Sequence, residues 1–378
     1  MGSDSPARLI VAIPEQSSDL YYKTGFLAPD PVVLIEQNAK TSLLVTPLEF
    51  ARAKETARAI EVLSFESIRD KVQNQDETLK LPELLGRFLL ANQIESLIVP
   101  ADFPALFYES LSAMGLQVIV QKELPFFPAR MQKSPQEVEW IRAAIKATEQ
   151  ALLVVVDILK RAKVKEGRVV FEGETLTSER LRNALERALF ENGLLAQHTI
   201  VSSGPLSALP HEEGYGPILA NTPIVVDVFP RNQKTRYFAD ITRTFVKGRP
   251  PERLERMYHA VLKAQGLAIE RLRAGVSALS VHQAVWKHFE TCGFSTDMMA
   301  ERPFGFIHTT GHGLGLDIHE PPRIGNEDIL LPESAVLTVE PGLYYPDLGG
   351  VRIEDDVVLL KDGLEILSSF PKDSWVFP

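Results

Sequence analysis

The chain is poor in cysteine and lacks long apolar runs. A single cysteine, Cys292, among 378 residues excludes an intramolecular disulfide and a zinc site built from several cysteines; at the end of a predicted helix it is interpreted as a buried structural thiol. No apolar stretch approaches the ~20 residues that a membrane helix needs, and the apolar segment 9–13 is too short for a signal peptide. These absences predict a soluble, cytoplasmic protein without a membrane partner.

Positive charge is also scarce. The chain has 40 Lys and Arg against 50 Asp and Glu, a net charge of −10, so it lacks the basic surface of a general nucleic-acid binder. Neither a Gly-x-Ser-x-Gly serine elbow nor a Walker phosphate loop occurs. An apolar content of 45% is ordinary for a globular protein, and the length suits two domains.

The first third of the chain predicts an α/β domain. A helix predicted over residues 105–114 ends at Gly115, and Asn38-Ala39-Lys40 predicts the turn of a hairpin. The predicted strands are 9–13, 32–35, 43–46, 97–99 and 116–120. Because Pro125-Phe126-Phe127-Pro128 interrupts regular structure, we place one domain at residues 1–125 and a second at 126–378.

A helix start opens the second domain. Ser134-Pro135-Gln136-Glu137 combines an N-cap serine, a proline at the first helical position and a glutamate three residues after the cap, which predicts a helix linking the two parts. Further helices are predicted over 178–192, 252–273 and 281–292, and the stretches 218–247 and 335–360 are predicted to be β structure.

Acidic residues stand at the ends of apolar strands in both β stretches. Asp227 follows Ile224-Val225-Val226, and Asp240 precedes another apolar run. The polar segment 231–236 lies midway between them, so an antiparallel hairpin would make the two side chains near neighbours, within ~5 Å. Thr242 shares a strand face with Asp240, so its hydroxyl is expected to donate a hydrogen bond to a metal-binding side chain.

The second stretch repeats this arrangement. Glu340 and Glu354 flank the turn-prone segment 346–350, which makes the two hairpins an internal pseudo-repeat. Arg352 shares a strand face with Glu354 and should therefore point in the same direction.

Four converging carboxylates in apolar surroundings would resist ionisation unless cations neutralise them. Two divalent metal ions would do so. Oxygen ligands favour Mn²⁺, and a histidine ligand extends the choice to Zn²⁺, Co²⁺ or Fe²⁺. Any one of these acids alone is better explained as a solvated strand end, whereas the matched set favours a metal site.

Histidines complete the candidate site. His308, His312 and His319 lie in a glycine-rich segment, where the backbone can approach a ligand closely; His211 lies in a loop before the first acidic hairpin. Each of these alone is better explained as a structural histidine. The remaining histidines have no partner motif and are interpreted as surface or core residues: His198, His259, His282 and His288.

The order of these motifs resembles the pita-bread fold metallopeptidases, in particular aminopeptidase P and prolidase, with a creatinase-like N-terminal domain. The resembling motifs are His211, Asp227, Asp240-Ile241-Thr242, Gly311-His312-Gly313, Glu340-Pro341-Gly342 and Arg352-Ile353-Glu354-Asp355. The resemblance implies an α/β domain followed by an α+β catalytic domain, a homodimer, and two metal ions held by Asp227, Asp240, His312, Glu340 and Glu354. It also implies that His211 and His319 are active-site imidazoles and that Arg352 and His308 contact substrate. One departure is Phe229-Pro230, where most relatives have a glycine.

The implied activity is hydrolysis of the bond between an N-terminal residue and proline in a small peptide. Glu340 would take a proton from water and pass it to the leaving nitrogen, His211 and His319 would stabilise the oxyanion or hold the prolyl side, and Arg352 could pair with a dipeptide carboxylate. Two alternatives stay open, a non-catalytic binding module and a non-peptidase lyase on the same scaffold.

Overall fold

The computed structural model describes residues 5–38, 40–58, 61–72, 79–299 and 301–378. The chain divides into two compact units, residues 1–128 and 129–378; the Pro125–Pro128 segment closes the first. Within the described ranges, no helix combines the length and the apolarity needed to cross a bilayer.

The first unit is an α/β domain built on a mixed six-stranded sheet. Its strands are β1 (Ala7–Ala12), β2 (Val32–Gln37), β3 (Lys40–Val45), β4 (Glu61–Ser64), β5 (Ser96–Pro100) and β6 (Gln117–Gln121), in the order β4-β3-β2-β1-β5-β6. Its helices are α1 (Ser18–Thr24), α2 (Pro47–Thr56), α3 (Phe65–Val72), α4 (Leu81–Ala91) and α5 (Ala105–Ala113).

The predicted hairpin and helix of this unit are confirmed. Strands β2 and β3 pair antiparallel, whereas β5 and β6 pair parallel around α5. Of the predicted turn residues, Ala39 lies outside the described residues, and Asn38 has a φ of 50°, a left-handed conformation that asparagine tolerates. Gly115 follows α5 with a φ of 89°, which explains why the helix ends there.

The second unit contains α6 (Pro135–Arg161), α7 (Ser178–Glu191), α8 (Glu252–Arg271) and α9 (Ala278–Thr291). Helix α6 begins as predicted. The Ser134 hydroxyl accepts a hydrogen bond from the Glu137 N–H, and the Glu137 carboxylate accepts one from the Ser134 N–H.

Helix α9 departs from the sequence prediction at both ends. It begins at Ala278 rather than at residue 281, because the Ser277 hydroxyl accepts a hydrogen bond from the Ser280 N–H and caps the helix. Cys292 is exposed, so its interpretation as a buried thiol is wrong. It stands just beyond the last helical residue.

The strands of the second unit form two main sheets. They are β7 (Lys163–Lys165), β8 (Arg168–Phe171), β9 (Glu174–Thr175), β10 (Leu194–Leu195), β11 (Ile200–Ser203), β12 (Ile224–Val228), β13 (Arg231–Asn232), β14 (Ile241–Lys247), β15 (Asp297–Met299), β16 (Arg302–Phe304), β17 (Gly311–Gly313), β18 (Glu320–Ile324), β19 (Val336–Val339), β20 (Gly342–Tyr345), β21 (Gly349–Arg352), β22 (Asp355–Leu360), β23 (Gly363–Ile366) and β24 (Val376–Phe377). The four-stranded sheet has the order β11-β12-β14-β24, and the five-stranded sheet has the order β18-β17-β19-β22-β23.

A hydrophobic core fixes these sheets in the second unit. Leu254 and Val261 of α8 and Val285 of α9 belong to one buried cluster with Leu337 of β19 and Val357 of β22. Burial of such side chains is worth about 1.5–3 kcal/mol each. Strands β19 and β22, next to Glu340 and Glu354, are therefore held from behind by packed helices.

Candidate metal centre

The acidic strand ends and the predicted histidines surround one cavity in the second unit. Its volume is about 820 Å³. Every residue that the sequence singled out for a metal, catalytic or substrate role lines it: His211, Asp227, Asp240, His308, His312, His319, Glu340, Arg352 and Glu354. The structure therefore brings all of the candidates together, although their individual roles stay predictions.

Strands β12 and β14 carry the first acid pair. Asp227 faces Thr242 across this antiparallel pair, so Asp240 lies just beyond the ladder, on the same strand face as Thr242. A hairpin centred between residues 233 and 234 would place the two aspartates directly opposite each other. In the structure they are neighbours, but Asp227 is opposite Thr242 instead. The turn is displaced from the midpoint between the two aspartates. The Asn232 side-chain oxygen shapes it by accepting hydrogen bonds from the N–H groups of Lys234 and Thr235.

Glu340 and Glu354 face each other where two antiparallel ladders meet. Val339 pairs with Asp355 in one ladder, and Gly342 pairs with Arg352 in the other. Both ladders share one register, which places Glu340 opposite Glu354 as predicted.

The glycines around His312 let this strand approach β19 closely. A Cβ on Gly311 would lie 1.9 Å from the Thr338 carbonyl oxygen. The His312 Nδ1–H donates to the Gly313 carbonyl at 3.0 Å, so Nε2 carries no proton, and burial lowers the His312 pKa to about 3. This bare Nε2 lies 3.3 Å from Glu340 Oε1 and 3.7 Å from Asp240 Oδ2.

These residues fit a divalent cation. Ligand atoms of Asp240, His312 and Glu354 lie within 4.8 Å of one another. Asp240 Oδ1 and Glu354 Oε1 are buried and have no hydrogen-bond partner within the described residues. Burial and the neighbouring carboxylates raise the pKa of both groups well above their usual range. A cation would supply the missing partner for both oxygens and for the imidazole lone pair.

Arg352 is bonded mainly to the protein itself. Its Nη2 donates to Asp227 Oδ2 at 2.6 Å, its Nε to Thr242 Oγ1 at 3.1 Å, and its Nη1 to Tyr344 Oη at 2.7 Å and to the Pro210 carbonyl at 3.4 Å. A guanidinium has five N–H bonds, so these contacts leave one N–H available for a substrate.

His308 fixes the far side of that network. Its Nδ1–H donates to the Thr309 carbonyl at 2.7 Å, so its Nε2 accepts a hydrogen bond from the Tyr344 hydroxyl, 2.9 Å away. The Tyr344 oxygen in turn accepts from Arg352. Burial raises the pKa of Tyr344 to about 12 and lowers that of His308 to about 3, so both side chains are neutral at physiological pH.

His319 and His211 also line the cavity. His319 stacks edge-on against His312 with ring centroids 4.4 Å apart. Burial lowers its pKa, which keeps the ring neutral at pH 7. His211 is an exposed side chain of the same cavity.

Several residues of the site have no local sequence signal. His198, interpreted as an ordinary surface or core histidine, lines the cavity and pairs with Glu213 at 2.8 Å. Arg323 also lines the cavity. Its position shortly after His319 in the sequence is the one signal that could have pointed to it. Phe229, part of the departure from the resembling family, is in the wall as well. Asp356 is fully buried behind the ligands, and burial raises its pKa.

The comparisons with known proteins agree with this geometry. Residues 139–361 match the model of metallopeptidase family M24. The chain is 30% identical to an Xaa-Pro dipeptidase of Pyrococcus furiosus over 380 residues, which is 99% of this chain and 96% of that protein. Its structure is similar to an X-Pro aminopeptidase from Thermotoga maritima (TM-score 0.80, 26% identity, 98% and 97% of the two chains) and to the prolidase from Pyrococcus furiosus (TM-score 0.77, 26% identity, 97% of each).

Proposed function

Because the chain belongs to metallopeptidase family M24 and has its pita-bread fold, we propose that it hydrolyses the bond between an N-terminal residue and proline. The observation that carries this proposal is a cavity lined by both acid pairs and His312. Relatives named Xaa-Pro dipeptidase, prolidase and X-Pro aminopeptidase support the substrate class. An X–Pro amide has no N–H, so recognition must use the carbonyl and the peptide's termini.

We propose that two divalent cations, with Mn²⁺ as the expected metal, are held by Asp227, Asp240, His312, Glu340 and Glu354. Carboxylate oxygens favour Mn²⁺, and the imidazole also suits Zn²⁺, Co²⁺ or Fe²⁺. When bound, such a pair neutralises the carboxylates and makes water a nucleophile at neutral pH. Binding of two ions per chain would also argue against the alternative of a metal-free binding module.

Glu340 is the residue proposed to move protons. Its Oε1 accepts a hydrogen bond from the Thr338 hydroxyl at 3.4 Å, and burial raises its pKa to about 7. That value describes the metal-free protein; with cations bound, Glu340 is the anion, and a carboxylate in this position can accept a proton from water and return it. Glu340 would take a proton from the attacking water and deliver it to the prolyl nitrogen.

The imidazoles are proposed to hold the substrate carbonyl and the prolyl side. The lowered pKa of His319 favours its neutral ring, which can donate an N–H to the developing oxyanion. His211 lines the same cavity and is proposed to act with it. Both ring nitrogens of His308 bond within the protein, so its proposed substrate contact would be made by the ring carbons.

Two arginines are candidates for the carboxylate of a dipeptide. Arg352 has one N–H left after its contacts with Asp227, Thr242, Tyr344 and Pro210. Arg323 is exposed at the cavity wall. A guanidinium pairs strongly with a carboxylate through charge-assisted hydrogen bonds. The two candidates differ in that Arg352 also bonds to Asp227, one of the proposed metal ligands.

The test is a length series on the Mn²⁺-loaded protein: Ala-Pro, Ala-Pro-amide and Ala-Pro-Ala. Hydrolysis should require Mn²⁺ and stop on chelation. Arg323→Met should raise KM for Ala-Pro more than for the amide, whereas Arg352→Met should lower kcat on all three because Asp227 loses its charged partner. A larger loss on Ala-Pro than on the amide in Arg352→Met would return the carboxylate contact to Arg352. Absence of hydrolysis on every peptide, or activity insensitive to chelation, would refute the proposed function.

We also propose a cytoplasmic homodimer, which rests on the resemblance of the sequence to this family. Light scattering of the purified chain tests the dimer. A mass near that of one 42.1 kDa chain would contradict it.

A further inference from the structure

The two acid pairs belong to different sheets, and hydrogen bonds between β14 and residues 352–356 join them. The Arg352 N–H donates to the Thr244 hydroxyl at 3.0 Å, and that hydroxyl donates to the Arg352 carbonyl at 2.9 Å. Two residues further on, the Glu354 N–H donates to the Thr242 carbonyl at 3.1 Å, and the Thr242 hydroxyl contacts Glu354 Oε2 at 2.7 Å. Alternate residues of the two segments are thus paired, Arg352 with Thr244 and Glu354 with Thr242.

Asp356 makes the third contact of this series. Its Oδ2 accepts the Asp240 N–H at 3.0 Å. Asp240 immediately precedes β14, so its N–H lies at the end of the β12–β14 ladder, and a side chain from the other sheet satisfies it. Asp356 itself is 0% exposed, and its Oδ1 has no hydrogen-bond partner among the described residues.

A buried carboxylate is an expensive acceptor for a single N–H, because an ion loses several kcal/mol of hydration on burial. The cost of burying Asp356 is therefore better explained by the Asp240 backbone that its Oδ2 holds at 3.0 Å than by a contribution to stability alone.

On the basis of the proposed metal ligation by Asp240, we infer that Asp356 is a positioning residue of the metal centre. By accepting the Asp240 N–H, it fixes the backbone from which the Asp240 carboxylate presents its unpartnered Oδ1. It does not touch substrate. Outer-sphere partners of this kind change metal affinity by about 10–100-fold when removed.

The experiment is calorimetric titration of metal-free protein with Mn²⁺, using Asp356→Leu and Asp356→Asn. The leucine variant keeps the branched shape and the number of side-chain heavy atoms but has no acceptor, so it should weaken at least one Mn²⁺ site about 10–100-fold. The asparagine variant keeps an oxygen that can accept the Asp240 N–H, so its affinity should stay within about threefold of wild type. Ser368→Ala is the matched control, because Ser368 accepts the Asp356 N–H at 2.9 Å without reaching the ligands; it should leave Mn²⁺ affinity unchanged.

Wild-type affinity in Asp356→Leu would overturn the inference. So would a loss of tenfold or more in Asp356→Asn, which also decides the matter if the leucine variant does not fold, or an equal loss in Ser368→Ala. Because the readout is Mn²⁺ binding, it is separate from the peptide assay. A wild-type protein that binds two Mn²⁺ but cleaves no Xaa-Pro peptide would refute the proposed function and leave this test intact.

Discussion

A buried ionic cluster beside His319 allows a sharp stability prediction. Arg130 and Lys133 both donate to the Glu320 carboxylate, the lysine at 3.0 Å, and all three side chains are at most 3% exposed. The same carboxylate accepts the N–H groups of Leu316 and Asp317 at 2.9 and 3.0 Å. Glu320 therefore holds the loop that leads from His312 to His319.

Glu320→Gln should destabilise the second unit by about 3–5 kcal/mol, because removing one partner leaves buried charge uncompensated. Both oxygens of the Glu320 carboxylate accept hydrogen bonds, Oε1 from Arg130 and Oε2 from Lys133. The NH₂ group of a glutamine would therefore face one of these donors in either orientation of the amide. With about 2–4 °C per kcal/mol for a unit of this size, the melting temperature should fall by roughly 10 °C.

Tryptophan fluorescence is the suitable assay, because all three tryptophans lie in the second unit, at 140, 286 and 375. Urea unfolding followed this way reports that unit alone. The matched control is Glu365→Gln, which removes an exposed partner of Arg142 and should cost no more than about 1 kcal/mol. A loss below 1 kcal/mol in Glu320→Gln, or one equal to that of the control, would refute the reasoning.

Three other predictions follow from the site. Gly311→Ala should abolish native, soluble protein, because its Cβ would lie 1.9 Å from the Thr338 carbonyl oxygen; a wild-type yield and circular dichroism spectrum would contradict this. Thr242→Val should weaken Mn²⁺ binding about tenfold, since its hydroxyl contacts a carboxylate of each acid pair; titration with Mn²⁺ checks it, and unchanged affinity counts against it. In metal-free protein, the stability that Glu340 contributes is present below its ordinary pKa of 4.5 and lost as pH rises through about 7, so stability should fall by about 1 kcal/mol between pH 6.5 and 8. Urea unfolding in the presence of a chelator measures this, and a rise over that interval would be the contrary result.

The acid pairs could be predicted from sequence because their signals are local. Strand alternation and the turn-prone segment 346–350 set the register that places Glu340 opposite Glu354. The same reasoning was less accurate for Asp227 and Asp240, because the Asn232 side chain displaces the turn from the midpoint between them. Turn chemistry, rather than strand pattern, decided that register.

Residues whose partners are distant in the sequence could not be predicted from a local sequence pattern. Tyr344 matters because it bridges His308 and Arg352, and Asp356 because it reaches Asp240 in another sheet. Neither contact follows from spacing along the chain. His198 has no motif around it in the sequence, yet the fold brings it to the cavity wall.

The alternation of Arg352, Glu354 and Asp356 has a consequence for how this stretch can evolve. Because neighbouring side chains in a strand point to opposite faces, an insertion or deletion of one codon just before Arg352 would turn all three away together and bring Asp355, the partner of Arg243, toward the cavity, and one inside the stretch would place them on different faces. Homologous genes should therefore vary this stretch by point substitution and keep length changes to the hairpin tip at 361–362.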